Sequence, residues 1–151
     1  MAQTPFRNEP LLGPVELEAR LREFYEAVEQ FNDRYYFESH ETLEHLWMVT
    51  PLPDRQFFQG IIQLAAAFVH FARGEYPGIL KLLDAAAGKL GPFAPERFGV
   101  DVTTLVAGIA RARGEMTALG EARFREWDER RAPVIELGGE RPEGSEGRVV
   151  Q

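Results

Sequence analysis

The chain has 151 residues, of which 44% are hydrophobic and 27% are charged, and this composition is typical of one compact globular domain. Its formal net charge of −7 argues against a nucleic-acid partner, because phosphate binding requires a basic surface. The absence of cysteine excludes disulfides, thiolate metal sites and cysteine nucleophiles. No segment has the pattern of a signal peptide or of a membrane span, so we expect a soluble, cytoplasmic protein without a membrane partner.

Two amphipathic helices are predicted in the first third of the chain. Apolar residues recur at helical spacing in the first helix, at Leu17, Leu21, Phe24, Val28 and Phe31. This helix is expected to begin near Pro14, since proline is tolerated in a first turn. Asn32 and Asp33 supply a turn, and the second helix then extends over residues 35–49 until the segment TPLPD ends it.

Three further helices follow. The third should begin at Asp54, a candidate N-cap, and end at Gly74; it is apolar around most of its circumference, which is typical of a central, enclosed helix. Pro77 in the first turn opens the fourth helix, and Asp101 caps the fifth. The stretch between them, GPFAPERFGV, is interpreted as a loop marked by proline and glycine, and no β-hairpin is predicted in the chain.

The predicted fold is all-α, with about five helices arranged as antiparallel helical hairpins in a bundle. We expect residues 1–131 to form a single helical domain. The composition then changes to Gly, Glu and Pro, which predicts an extended or mobile C-terminal tail over residues 132–151. Val134 and Ile135 are the tail residues expected to dock on the bundle.

A weak internal repeat relates the first two helices to the third and fourth. At an offset of 40 residues, Phe31 aligns with Phe71, Tyr36 with Tyr76, Leu43 with Leu83 and Glu44 with Asp84. Helical hairpins with a period in this range form tetratricopeptide-like arrays. Any two similar helical hairpins also share such spacing, and we favour this simpler interpretation.

The second predicted helix carries polar residues on an otherwise apolar face. A projection at about 100° per residue groups Tyr36, Phe37, His40, Glu41, Leu43, Glu44, Trp47 and Met48 in one sector, whereas Ser39, Thr42 and His45 lie elsewhere. His40 and Glu44 are therefore expected to point toward the core. An unpaired carboxylate would cost several kcal/mol there, so these groups must be paired, protonated or bound to an ion.

The third predicted helix offers polar partners for them. Gln59, Gln63 and His70 fall in one narrow sector of the same projection. If this sector faces the second helix, these three side chains join His40 and Glu44 in one buried polar cluster between the two hairpins. The space between the helices of a bundle is a common location for a binding site.

His40 and Glu44 are candidate metal ligands. They lie one helical turn apart, so an imidazole nitrogen and a carboxylate oxygen can converge on one cation. Such ligands suit a divalent transition metal, namely Zn, Mn, Fe or Ni. Glu41, Gln63 or His70 would have to complete the site.

The alternative to a metal site is a hydrogen-bonded core network. In that interpretation Glu44 accepts a hydrogen bond from His40, from a glutamine or from the Trp47 indole, and the network fixes the helix register without any chemistry. The protein would then be a structural or interaction module with a protein partner or a second copy of itself. No phosphate-binding loop, dinucleotide glycine pattern or serine nucleophile elbow is present, so the sequence leaves both enzymatic activity and any substrate open.

Several short motifs resemble a known family of bacterial and archaeal proteins. They are F-N at Phe31 and Asn32, Y-F-E at residues 36–38, H-x-x-x-E-x-x-W at His40, Glu44 and Trp47, and Q-G-I-I-Q at residues 59–63. Together they resemble the domain-of-unknown-function 309 family. The resemblance implies an all-helical fold, metal binding by His40 and Glu44, and a packing or orienting role for Trp47. The sequence differs from the family pattern at Arg34, where a turn glycine is usual, and at Ser39, where alanine is common.

Overall fold

The structure is a computed structural model that describes residues 11–138, and in this part of the chain it consists mainly of α-helices. The helices are α1 (Pro14–Ala19), α2 (Leu21–Asn32), α3 (Tyr36–Val49), α4 (Asp54–Arg73), α5 (Tyr76–Leu90) and α6 (Val102–Leu119). Short 3-10 turns follow at Gly91–Phe93, Phe124–Glu126 and Glu129–Arg131. From α2 to α5, each helix packs closely against the next helix in the chain. The predicted all-α fold of helical hairpins is therefore confirmed.

The first predicted helix is divided into α1 and α2. The division is at Arg20, whose backbone torsions of φ −97° and ψ 3° leave the helical region. Leu17 and Leu21 on its two sides are both buried, so the predicted apolar stripe continues across the break.

Of the three predicted helix caps, Asp54, Gly74 and Asp101, two have the predicted chemistry. Gly74 ends α4 in the left-handed conformation at φ 75°, and the Asp101 carboxylate caps α6 by accepting a hydrogen bond from Thr104 N at 3.0 Å. The prediction that Asp54 caps α4 is wrong, because Pro53 occupies the cap position. The Asp54 carboxylate instead accepts two hydrogen bonds from Arg97, at 2.8 and 2.6 Å.

A short β-hairpin lies where the sequence predicted only a loop. Strand β1 (Glu96–Arg97) pairs antiparallel with β2 (Val100–Asp101). The two residues between them, Phe98 and Gly99, both have positive φ, at 53° and 83°, as a two-residue hairpin turn of type I′ requires. Phenylalanine is unusual at such a position. Its ring packs against three buried phenylalanines, with centroids 5.5 Å from Phe58, 5.7 Å from Phe57 and 6.2 Å from Phe24, and this packing offsets the backbone strain.

Helix α4 is the centre of the core, as predicted. Phe57, Phe58, Ile61 and Leu64 have no exposed surface. At Gly60 an added Cβ would lie 2.8 Å from the Leu90 side chain, so glycine lets α5 approach α4 closely. α3 and α5 both pack against α4.

The residues after α6 return to the bundle. Phe124 and Trp127 are buried against Phe71, with ring centroids 5.7 Å from it in both cases. Ile135 is 2% exposed and Val134 is 48% exposed, so the predicted docking of the tail occurs through Ile135. The rest of the predicted tail, residues 139–151, lies outside the described residues, and the predicted domain limits stay a prediction. Within residues 11–138, no helix is both long and apolar enough to cross a membrane.

Candidate functional site

The buried face of α3 shares only Leu43 with the predicted one. Ser39, Leu43, Leu46 and Val49 are the buried residues of this helix. Ser39 has no exposed surface and donates a hydrogen bond from Oγ to the carbonyl oxygen of Ala27 on α2 at 2.8 Å. The prediction that Ser39 lies away from the core is therefore wrong. A small side chain there lets the α2 backbone approach, and that approach decides which face of α3 is buried.

The predicted polar residues of α3 lie at the edge of this buried face. His40, Glu44 and Trp47 are half-buried, and Glu41 is exposed. The face directed to α2 carries Thr42, which donates to Gln30 Oε1 at 2.9 Å. The polar residues are thus accessible from solvent and are not enclosed in the core.

Helix α4 carries a matching stripe of half-buried polar residues. Arg55, Gln59 and Gln63 are spaced four residues apart, so they lie along one side of the helix. The Arg55 guanidinium carbon lies 4.4 Å from the centre of the Trp47 ring, a cation–π contact that joins the end of α3 to the start of α4. Arg55 was not predicted from the sequence. Its spacing of four residues before Gln59 was the signal that could have indicated it.

α3 and α4 pack in a register that brings the polar residues of one helix opposite those of the other. The helices are antiparallel, and Trp47 meets Arg55 at one end while Tyr36 stacks on Phe68 at the other, with centroids 5.1 Å apart. The same register places the residues between these contacts at matching levels along the two axes. His40 is level with Gln63, and Glu44 is level with Gln59. We call these six residues, His40, Glu44, Trp47, Arg55, Gln59 and Gln63, the polar strip.

Four atoms of the polar strip are buried and have no hydrogen-bond partner within the described part of the chain. They are His40 Nδ1, Trp47 Nε1, Arg55 Nε and Gln63 Oε1, and they make up four of the five such side-chain atoms among the described residues. Buried polar atoms in folded proteins are nearly always paired, so their concentration in one place calls for an explanation. The hydrogen-bonded network offered as the alternative to a metal site is not formed directly by these side chains.

Glu44 completes the polar strip and contributes a carboxylate. Within residues 11–138 it forms no ion pair and no hydrogen bond through its side chain. His45 lies on the other side of α3, as predicted, where its Nδ1 is 3.1 Å from Arg20 Nη2 and 3.7 Å from Glu23 Oε1.

His70 does not join the polar strip. It follows Gln63 by two helical turns, about 10 Å along the α4 axis. Its Nδ1 lies 3.1 Å from the Ala66 carbonyl oxygen and its Nε2 lies 3.4 Å from Glu75 Oε1, at the turn into α5. Within residues 11–138, no group of three or more His, Cys, Asp or Glu side chains could hold a metal ion. The predicted ligands therefore do not form a complete metal site by themselves.

Tyr36, at the start of α3, borders the polar strip. Its ring contacts Phe31 edge-on at 5.2 Å and stacks on Phe68. Burial raises the pKa of Tyr36 to about 12, so its hydroxyl stays protonated at neutral pH. Tyr36 is therefore a packing group and does not supply a charge.

The fold and the polar strip define a protein of stacked helical hairpins with an accessible polar strip along two antiparallel helices. Residues 24–82 match the model of the family described as Domain of unknown function (DUF309). This segment contains all six residues of the polar strip, and the match confirms the resemblance drawn from the motifs. No curated protein matches the chain, and no solved structure matches it.

Proposed function

We propose that the protein is a binding module and that the polar strip is its ligand site. The observation that supports this proposal is the group of four buried polar atoms without partners. Leaving one such atom unpaired costs about 1–3 kcal/mol. The side chains that carry these atoms are half-buried, so a change of rotamer can turn the atoms toward the surface, where a ligand that pairs with them recovers that free energy.

The identity of the four atoms limits the chemistry of the ligand. Trp47 Nε1 and Arg55 Nε carry hydrogens and can only donate, whereas Gln63 Oε1 can only accept. The ligand therefore needs a hydrogen-bond acceptor, such as a carboxylate or carbonyl oxygen, at the Trp47 end of the strip. It needs an N–H or O–H group at the level of Gln63.

A second candidate function is metal binding. His40 and Glu44 lie one turn apart on α3, His40 Nδ1 has no partner, and Glu44 has no ion pair among the described residues. These two side chains would hold a divalent transition metal (Zn, Mn, Fe or Ni). Glu41, or an oxygen of the polar ligand, would complete the coordination, since two protein ligands leave positions open.

The stability of Gln63→Leu tests the ligand-binding proposal. If Gln63 serves a ligand, its replacement removes an unpaired buried oxygen from the free protein, and the free energy of unfolding should rise by up to about 1 kcal/mol. If Gln63 instead has a structural role, its replacement should lower the free energy of unfolding by a similar amount. Gln56→Leu is the control, because Gln56 is an exposed residue of α4 outside the strip and its replacement should change stability by less than about 0.5 kcal/mol.

Metal analysis tests the second candidate separately. We would measure bound metal by mass spectrometry in the untagged protein, in His40→Ala and in Glu44→Gln, with His45→Ala as the control on the opposite side of α3. Near-stoichiometric metal that is lost in the first two variants alone supports the metal site. A protein that stays empty after incubation with Zn, Mn, Fe and Ni rejects the metal site and leaves the Gln63 result to decide on the ligand.

A further inference from the structure

A second concave site lies away from the polar strip. It is a cleft of about 480 Å³ between α1, the start of α2, residues 51–54 and the tip of the β-hairpin. Its apolar wall includes Leu12, Leu17, Leu21, Pro51, Leu52 and Phe98. The volume is in the range of small-molecule sites, about 300–1,000 Å³. None of the six residues of the polar strip lines this cleft.

An ion pair forms the polar part of the cleft. Arg97 donates from Nε and Nη2 to the two carboxylate oxygens of Asp54, at 2.8 and 2.6 Å. The Arg97 side chain is 41% exposed, whereas the Asp54 side chain is only 15% exposed. Within this ion pair, Arg97 is therefore the partner that a bound molecule would meet, although Glu18 adds a second carboxylate to the lining.

The geometry of Arg97 leaves one edge of its guanidinium available. Its Nη1 forms no hydrogen bond to a residue of the described chain, while the other edge is held by Asp54. The guanidinium carbon also lies 4.0 Å from the centre of the Phe98 ring, which fixes the plane of the group over the cleft wall. Glu18 also lines the cleft, but its side chain is exposed and can turn into solvent, whereas Arg97 is held in place by Asp54 and Phe98.

We propose that this cleft binds an apolar carboxylic acid. The hydrocarbon part packs on the leucine and proline wall, and the carboxylate accepts hydrogen bonds from the free edge of Arg97. A planar guanidinium is suited to a carboxylate because its N–H groups match the spacing of the two oxygens. Apolar contact supplies the binding free energy, and the charge selects the head group.

The test compares two probes with the same chain and opposite charge. Decanoate and decyltrimethylammonium are titrated into the full-length protein by calorimetry, below the concentrations at which they form micelles. We expect decanoate to bind at least about tenfold more tightly, a difference of about 1.4 kcal/mol. Equal affinities, tighter binding of the ammonium probe, or no binding of decanoate at millimolar concentration would overturn the proposal.

Variants at the rim keep the test independent of folding. Leu52 lines the cleft and is 66% exposed, so Leu52→Asp adds a negative charge at the mouth without changing the core. It should weaken decanoate binding about tenfold. Leu11→Asp is the matched control, since Leu11 is 56% exposed and does not line the cleft. Equal effects of the two substitutions would place decanoate elsewhere. Arg97→Gln, checked for folding by circular dichroism, should abolish the preference for decanoate, since Asp54 and Glu18 then supply the only charges of the lining.

Discussion

The turn between α2 and α3 and the turn between α4 and α5 have the same backbone and different sequences. Arg34 in the first turn has φ 70°, and Gly74 in the second has φ 75°. In each turn the next residue donates a hydrogen bond to the carbonyl five residues before it, from Tyr35 N to Gln30 O at 2.8 Å and from Glu75 N to His70 O at 3.2 Å. Glycine accepts this conformation without steric cost, whereas arginine does not. The packing of the helices therefore imposes the turn even where the local sequence opposes it.

The correspondence between the two hairpins extends to their cores at an offset of 40 residues. Phe31 and Phe71 are both buried, as are Leu43 and Leu83. Helical spacing alone explains the apolar matches, but it does not predict a shared left-handed residue. The two hairpins are covered by different parts of the chain. Phe31 packs on Tyr36, at the start of the next helix, whereas Phe71 packs on Phe124 and Trp127, which follow α6.

The largest expected difference in stability between the two turns concerns Asn32. At the offset of 40 residues its equivalent in the second turn is Ala72, which is exposed. The Asn32 side chain donates to Ile135 O at 2.9 Å and accepts from Ile135 N at 2.7 Å. Asn32→Ala leaves both backbone groups of the buried Ile135 without these bonds, and we expect the free energy of unfolding to fall by about 1–3 kcal/mol. Urea denaturation measures the change.

The matched control for Asn32→Ala is Ala72→Asn. Ala72 is exposed at the equivalent position, so asparagine there should change stability by less than about 0.5 kcal/mol. Effects of equal size in the two variants would show that the C-terminal segment is not anchored to α2 through Asn32.

Exchanging the left-handed residues should change stability in opposite directions. Gly74→Ala introduces a side chain at positive φ and should lower the free energy of unfolding by about 1 kcal/mol. The new Cβ would also meet Arg125 Nη1, which is the end of an exposed, flexible side chain and can move. Arg34→Gly should raise the free energy of unfolding by about 0.5–1 kcal/mol, since it relieves the same strain. Thermal or urea unfolding of both variants measures the two changes. A loss of stability in Arg34→Gly would mean that the contacts of the arginine side chain stabilise the fold by more than its backbone strain destabilises it.

The helices and their ends were predictable from sequence wherever a residue has a local chemical signal. Gly74, Pro77 and Asp101 have such signals, and the structure confirms each of them. Arg34 and Phe98 have none, because their positive φ values result from packing between distant parts of the chain. A prediction from local propensity therefore missed the β-hairpin.

The sequence predicted which residues belong to the candidate site, but it did not predict how they are arranged. Five residues of the polar strip were named from sequence, because helical spacing groups side chains by direction. A projection contains no information on distance along the axis. Gln63 and His70 share a sector and lie two turns apart, so only the structure separates them. The burial of His40 and Glu44 was also overestimated, since the contact of Ser39 with α2 decides which face of α3 is enclosed.

The smallest expected effect concerns the C-terminal segment, which covers the second hairpin through Trp127. Glu115 on α6 accepts hydrogen bonds from Arg131 Nη2 at 2.6 Å and from Trp127 Nε1 at 2.9 Å. Hydrogen bonds from Arg131 and then from Trp127 lower the pKa of Glu115 to about 2. Because the folded state holds this carboxylate ionised, its contribution to stability is complete above the ordinary glutamate pKa and is lost as the pH falls toward 2.

We therefore expect the free energy of unfolding to decrease between about pH 5 and pH 2, and Glu115→Gln to remove part of that slope. The effect should be below about 1 kcal/mol, since the ion pair is partly exposed to solvent. Glu121→Gln, at an exposed glutamate outside this contact, should keep the wild-type slope. Hydrogen exchange locates the change: at low pH the protection factors of the amides around Trp127 should fall, while those of the α2–α3 turn, anchored through the uncharged Asn32, should not. An equal loss of protection in both regions would mean that acid weakens the whole bundle and not the contact of Glu115 with the C-terminal segment.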